Sequence, residues 1–346
     1  MLNTDTWVSG PYNWVGGKRV SPDSSLGVYD NISPRTGTLL CQVGVSGQED
    51  VNTAVATARS AFTSWSGLSG MERGRLLVKA SQILRDNLED IARLDVKDNG
   101  KPIWEARADM ETVISSLEYY GGLAPAIVGY QVKLPGGSWG YASREPLGVV
   151  GGVGAWNYPL QTCTWKVAPA LACGNTFVYK PSPLAPLAAV VLGEVLQLAG
   201  VPDGVYNVVQ GEGATGAILT QHPDLDKLSF TGSVPTGTKI MEAGAKGIKN
   251  VTLELGGKSP LIIFDDANLK NAVKGALMAN FLSQGEVCSN GTRVFIQRGI
   301  YDKFVAEFVR QAKNMKVGDP MNEDTTVGGT ISEDHAKKVL GKRHTV

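Results

Sequence analysis

Histidine and cysteine are scarce in this chain: three histidines (His222, His335, His344) and four cysteines (Cys41, Cys163, Cys173, Cys288) among 346 residues, with no C-x-x-C spacing. That supply does not make the usual zinc ligand sets, so no metal is expected and the cysteines read as free thiols of a reducing compartment. Net charge is missing as well, because 33 lysines and arginines face 33 aspartates and glutamates. No long-range field gathers nucleic acid or an anionic membrane, which leaves a small molecule as the expected partner. There is no unbroken apolar run of the roughly eighteen residues that would span a bilayer, and the opening MLNTDTWVSGPYNW lacks a basic start followed by an apolar core. A soluble cytoplasmic protein is the expectation.

Glycine, by contrast, is abundant: 42 residues, about twice the average share, scattered among apolar runs and not set in a repeat. Many tight turns follow. From Val51 to Leu94 apolar residues recur three and four apart (Val51, Ala54, Val55, Ala58, Phe62, then Leu76, Leu77, Ala80, Leu84, Leu88, Ile91), predicting amphipathic helices. Residues 129–146 place Pro135-Gly136-Gly137 between two short alternating runs, predicting a hairpin arm off the main body. From Gly148 strand-length apolar runs (GVVGGVG, TFVYK, YNVVQ, KLSFTGS) alternate with helical segments. This predicts an α/β fold with a parallel sheet covered by helices. VTLEL, PLIIF, TRVFIQ and two further helices repeat the style, and the domain boundary is placed near Gly256-Gly257, dividing the chain into 1–255 and 256–346. Ligands of such sheets sit at the carboxyl ends of the strands, so loops at Asn157, Lys180, Gly232 and Glu254 are candidates to share one crevice.

Each residue with chemical potential has a plainer rival. Cys288, in the polar, glycine-flanked connection QGEVCSNGTR, could serve as an accessible thiolate nucleophile; most lone cysteines are buried and inert, as Cys163 and Cys173 should be in their apolar helical text. Glu254, in NVTLELGGKSP, could be a base whose pKa the surrounding apolar run raises, or an outward-facing strand glutamate. The Asn157 amide in GAWNYP could donate to an oxyanion, or merely make a turn. The stretch Gly232, Ser233, Val234, Pro235, Thr236, Gly237 joins a strand to a helix, where free N–H groups could meet a phosphate, though it is not a G-x-G-x-x-G fingerprint. Lys180, in VYKPS, could bond a ribose or be solvated; Tyr158 and Trp165 could offer aromatic faces to a cationic substrate or belong to the core.

Taken together and in this order, GAWNYP, KPS, FTGS, LELGGKSP and QGEVCSNGTR resemble the aldehyde dehydrogenase family over about Asn13 to Asp319. SGMERGRLL, LPGGSWGY, REPLGV and NVVQG add likeness to its aminoaldehyde-oxidising branch. The resemblance implies a Rossmann-like NAD-binding domain, an α/β catalytic domain incomplete at its C-terminus, and an oligomerisation role for the hairpin. It also implies roles: Cys288 attacks an aldehyde, Asn157 and the Cys288 N–H hold the oxyanion, and Glu254 activates the water that hydrolyses the thioester. Lys180 would contact the adenosine ribose, Ser233 and its neighbours the pyrophosphate, and Trp156 the cofactor pocket. Pro183 stands where many NAD-preferring members carry a glutamate, yet NAD is expected in preference to NADP. Two further readings are a catalytically silent cofactor-binding or interaction protein, and a cofactor-independent esterase using the same Cys288 and Glu254.

Overall fold

The computed structural model describes residues 2, 7–10, 12–22 and 26–342; His344, and part of the opening segment read above for a leader, lie outside them. The chain opens with strands β1 (Asn13–Val15), β2 (Lys18–Val20), β3 (Val28–Ile32) and β4 (Leu39–Gly44). Four helices follow: α1 (Gln48–Ser66), α2 (Gly70–Asp86), α3 (Leu88–Asn99) and α4 (Ile103–Leu123). The first three form where the three-and-four spacing predicts, α4 lies beyond it, and α1 buries the predicted Val51, Ala54, Val55 and Ala58. Ser69 caps α2 reciprocally with Glu72, while Gly100 ends α3 at a φ of 89°, which costs glycine little.

The predicted hairpin is β5 (Tyr130–Lys133) paired antiparallel with β6 (Trp139–Ala142), and every β5 residue is exposed. Then come β7 (Val149–Val153), α5 (Pro159–Ala172), β8 (Thr176–Lys180), α6 (Ala188–Ala199), β9 (Tyr206–Val208), α7 (Gly213–Gln221), β10 (Lys227–Gly232), α8 (Val234–Lys246) and β11 (Asn250–Leu255). The sheet order is β11-β10-β7-β8-β9-β1-β2, parallel from β11 to β9 and antiparallel where β1 joins.

All five residues of β7 and of β8 are buried, because helices cover both faces. Strand alternation feeds two cores. Val149, Val153 and Val178 pack with α1 residues, whereas Val150, Phe177 and Tyr179 pack with residues of α2, α4, α5 and α6. Glycine lets strands and rings close up: a Cβ at Gly152 would lie 2.5 Å from the Phe177 ring. The chain runs from β7 outward through β8 and β9, then returns to place β10 on the other side of β7. This reversal opens a crevice at the carboxyl ends of β7 and β10.

Beyond β11, the strands β12 (Pro260–Ile263) and β13 (Arg293–Ile296) pair in parallel, with α9 (Leu269–Phe281) and α10 (Tyr301–Lys313) beside them. Their core is small (Ile263, Val273, Ala276, Ile300, Phe304), while Ile262 and Phe295 remain exposed. The described chain closes with α11 (Glu333–Gly341). Ion pairs tie the segment before α11 to the β3–β4 turn and to α4: Arg35 to Asp319 at 2.6 Å and Arg107 to Glu323 at 2.7 Å.

Candidate active site

The crevice after β7 and β10 is a cavity of about 560 Å³, in the size range of small-molecule sites. Trp156, Lys180, Gly232, Ser233 and Thr236 line it together, and so does Pro183. Lys180 is not solvated. It is buried at the end of β8, donates to the carbonyls of Pro181 (2.7 Å) and Gly211 (2.6 Å), and burial brings its pKa down to about 8. One of its three N–H donors stays uncommitted to these carbonyls.

The start of α8 commits part of the N–H supply expected to be free. Pro235 has none, Ser233 Oγ accepts the N–H of Thr236 at 3.4 Å, and the Gly237 N–H is taken by the Ser233 carbonyl at 2.9 Å. The Ser233 and Val234 N–H groups keep no partner among the described residues. Gly237 serves packing instead: a Cβ there would meet Leu255 of β11 at 2.8 Å.

Cys288, Glu254 and Asn157 belong to a neighbouring region outside the lining of this cavity. The Cys288 thiol is exposed, as a reactive thiol requires. Its segment rests just beyond the end of β11: a Cβ at Gly257 would stand 3.0 Å from the Cys288 carbonyl oxygen, so Gly257, in the Gly-Gly step after Glu254, admits the loop that carries Cys288. Glu254 is exposed, against the expectation of a desolvated base, because β11 is the edge strand of the sheet and this side chain lies on its open face. Its register partner is Thr231 of β10, whose hydroxyl accepts a hydrogen bond from Lys166. Burial lowers the Lys166 pKa to about 8, opposed by Cys163 and by the Glu254 carboxylate.

Asn157 commits one of its two amide N–H donors to the Glu286 carbonyl at 2.8 Å, leaving the other for a ligand. Its own carbonyl accepts from Lys101 Nζ at 2.9 Å. The Tyr158 ring, expected to face a cationic substrate, already faces Lys101 Nζ, 4.0 Å from its centroid. Trp165 is half exposed on α5, and Trp156 meets the His335 ring edge-on at 5.0 Å. Cys163 is buried and its thiol is pushed up to about 12 by that burial, as an inert cysteine should be; Cys173, expected to be buried too, is exposed at the end of α5.

Several polar residues at the site were not picked out in sequence. Lys101 is fully buried, paired with Asp109 and 3.8 Å from Asp95; burial opposes its charge, but these carboxylates keep its basicity raised. Glu105 and Glu286 are buried beside it. The four-residue spacing of Lys101, Glu105 and Asp109 was the available signal, but the same spacing describes a solvated helix face.

The aldehyde dehydrogenase family profile matches residues 20–344, and the chain belongs to that family of oxidoreductases. It is 55% identical over 341 residues to human (Homo sapiens) 4-trimethylaminobutyraldehyde dehydrogenase, covering 98% of this chain and 69% of the relative. With 4-trimethylaminobutyraldehyde dehydrogenase A of zebrafish (Danio rerio) it shares 54% identity, covering 96% of this chain and 66% of the relative. The solved NAD+ complex of an aldehyde dehydrogenase from Bacillus cereus superposes with a TM-score of 0.94 at 37% identity, over 97% of this chain and 70% of that one.

Proposed function

We propose that this chain oxidises an aldehyde to the carboxylic acid with NAD, through a thiohemiacetal and then a thioester on Cys288. The observation that carries this reading is the seating of the exposed Cys288 segment on the Gly257 backbone, three residues beyond Glu254, next to a cavity of cofactor size. The Cys288 thiolate adds to the carbonyl carbon, and the oxyanion takes hydrogen bonds from the uncommitted Asn157 N–H and the Cys288 backbone N–H. Glu254, open to solvent, removes a proton from the water that hydrolyses the thioester, restoring the thiol. Lys180, Trp156 and the Gly232–Gly237 turn would hold the dinucleotide, which when bound supplies a hydride acceptor. The volume of the cavity and the remaining donor on Lys180 fit such a group.

The substrate we assign is 4-trimethylaminobutyraldehyde and related aminoaldehydes, supported by the identity to enzymes of that name. NAD is the cofactor assigned in this reading; the likeness to the Bacillus cereus NAD+ complex supports a nicotinamide dinucleotide. The exposed β5–β6 hairpin, with Tyr130, Trp139 and Tyr141 at its surface, is the arm through which copies associate. Following NADH formation from this aldehyde, with NAD and NADP at matched concentrations, tests the assignment. Absence of turnover with every aldehyde tried, in a folded sample that binds NAD, would overturn it.

A further inference from the structure

Two buried carboxyl groups that this chemistry does not use anchor the segment carrying Cys288, Glu105 reaching it from α4 and Glu286 lying within it. Glu105, in the first turn of α4, is 3% exposed, and its Oε2 accepts the Ser283 N–H at 2.8 Å. Glu286 is 7% exposed; its Oε1 accepts the Ile331 N–H at 3.1 Å, and its backbone carbonyl receives the Asn157 amide. The second oxygen of each, Glu105 Oε1 and Glu286 Oε2, is buried without a hydrogen-bond partner. Between them the backbone is strained: Ser283 and Gln284 have φ of 48° and 56°, a region that residues with a side chain occupy only when their surroundings compel it. The compelling contacts are Ser283 N–H to Glu105, Gln284 Nε2 to the Gly329 carbonyl at 3.2 Å, and Glu286 N–H to the Ser283 carbonyl at 2.8 Å.

We propose that Glu105 and Glu286 are positioning residues for Cys288, two buried carboxyls that clamp residues 283–288 in a strained turn and so fix the thiol relative to the Asn157 amide. Its catalytic meaning rests on Cys288 being the nucleophile. A consequence in pH follows. Burial pushes both carboxyls up to about 7, against the opposing influence of Lys101 and of the N–H each accepts. The groups facing the pair are Lys101 from the turn between α3 and α4, Asp109 from α4, which raises Glu105 further, Tyr158 at the start of α5, which faces Glu105 and bonds Ser283, and His335 from α11, 3.7 Å from Glu286. The clamped state therefore holds protons that an opened segment, with carboxyls at their ordinary 4.5, would release. Raising the pH from about 4.5 through about 7 favours opening, and between pH 6 and pH 8 the opening equilibrium should shift about tenfold for each carboxyl.

Native-state hydrogen exchange of the full chain tests this. Corrected for intrinsic exchange, protection of amides in 283–290 should fall about tenfold or more from pH 6 to pH 8, while β7 and β8 stay unchanged; Glu105→Gln and Glu286→Gln should each flatten that fall. Equal corrected protection at the two pH values, or an undiminished fall in both folded glutamine variants, would overturn the proposal. If a glutamine variant does not fold, the unaltered chain decides alone. Cys288→Ser removes turnover but not this exchange pattern, so an error in the catalytic assignment and an error in the clamp give different results.

Discussion

The side proposed to hold the cofactor and the side proposed to carry the nucleophile are built by different means. The cavity after β7 and β10 is walled by strands whose every residue is buried on β7 and β8, and Lys180 is held there by two backbone carbonyls. Cys288 and Glu254 lie instead on a loop and an edge strand, both exposed, and the loop that carries Cys288 holds the buried Glu286 and meets the buried Glu105 at Ser283. A sheet positions a ligand by packing that tolerates changes in solvent. A loop clamped by titratable groups responds to pH and to the loss of one partner.

The largest expected effect separates chemistry from binding. Cys288→Ser should lower aldehyde oxidation by roughly a thousandfold or more, since a hydroxyl is a far poorer nucleophile at neutral pH. Calorimetric NAD affinity should stay within a few-fold; a serine variant that still makes NADH at the parent rate would remove Cys288 from the mechanism.

Next comes Lys101→Met, which leaves Asp95 and Asp109 buried without their cation and takes a donor from the Asn157 carbonyl. A loss of about 3–5 kcal/mol is expected from breaking a buried pair of this kind. Urea unfolding measures it, and a loss below about 1 kcal/mol would show that the cluster relaxes or admits water.

A smaller effect concerns Asp98, fully buried, which accepts from Asn31 at 2.6 Å and from the Leu187 N–H at 3.0 Å. Burial raises its pKa from 3.8 to about 7, so the folded state binds a proton that the unfolded state gives up. The stability this contributes is complete below the unfolded value and is lost as pH rises through the folded one. Asp98→Asn should therefore flatten the decline of stability between about pH 4 and pH 7, whatever its uniform cost. An unchanged slope in pH-dependent denaturation would place the titration elsewhere.

The smallest is Ser233→Ala. Removing the cap should cost about 1 kcal/mol of stability. It also frees the Thr236 N–H toward the cavity, so NAD affinity is expected to change by less than about threefold, the packing-built side absorbing the loss. A tenfold weakening would mean that the Ser233 hydroxyl itself holds the cofactor.

Much of this was legible in residue order. The amphipathic period of α1 to α3, the Pro135-Gly136-Gly137 hairpin and the alternation after Gly148 all appear where the sequence predicts them, since each is a short-range pattern of apolar residues and turn formers. So did Cys288 as an exposed thiol. The expected desolvation of Glu254 did not appear, because VTLEL reads as a buried strand while β11 is an edge with one open face. Two donors of the supposed phosphate turn, the N–H groups of Thr236 and Gly237, are taken by Ser233, a local competition that residue identities alone leave open.

By itself the sequence determined the helices from α1 to α3, the hairpin, the strand-helix alternation and the family, because periodicity, turn chemistry and short motifs are properties of neighbours along the chain. Only the tertiary structure decided which charges are buried, that Lys101 occupies the face of Tyr158, and that Glu105 reaches Ser283 across 178 positions of chain. Burial and hydrogen-bond pairing depend on what the fold brings alongside, and the same glutamate is a solvated helix residue or a buried clamp according to that neighbour.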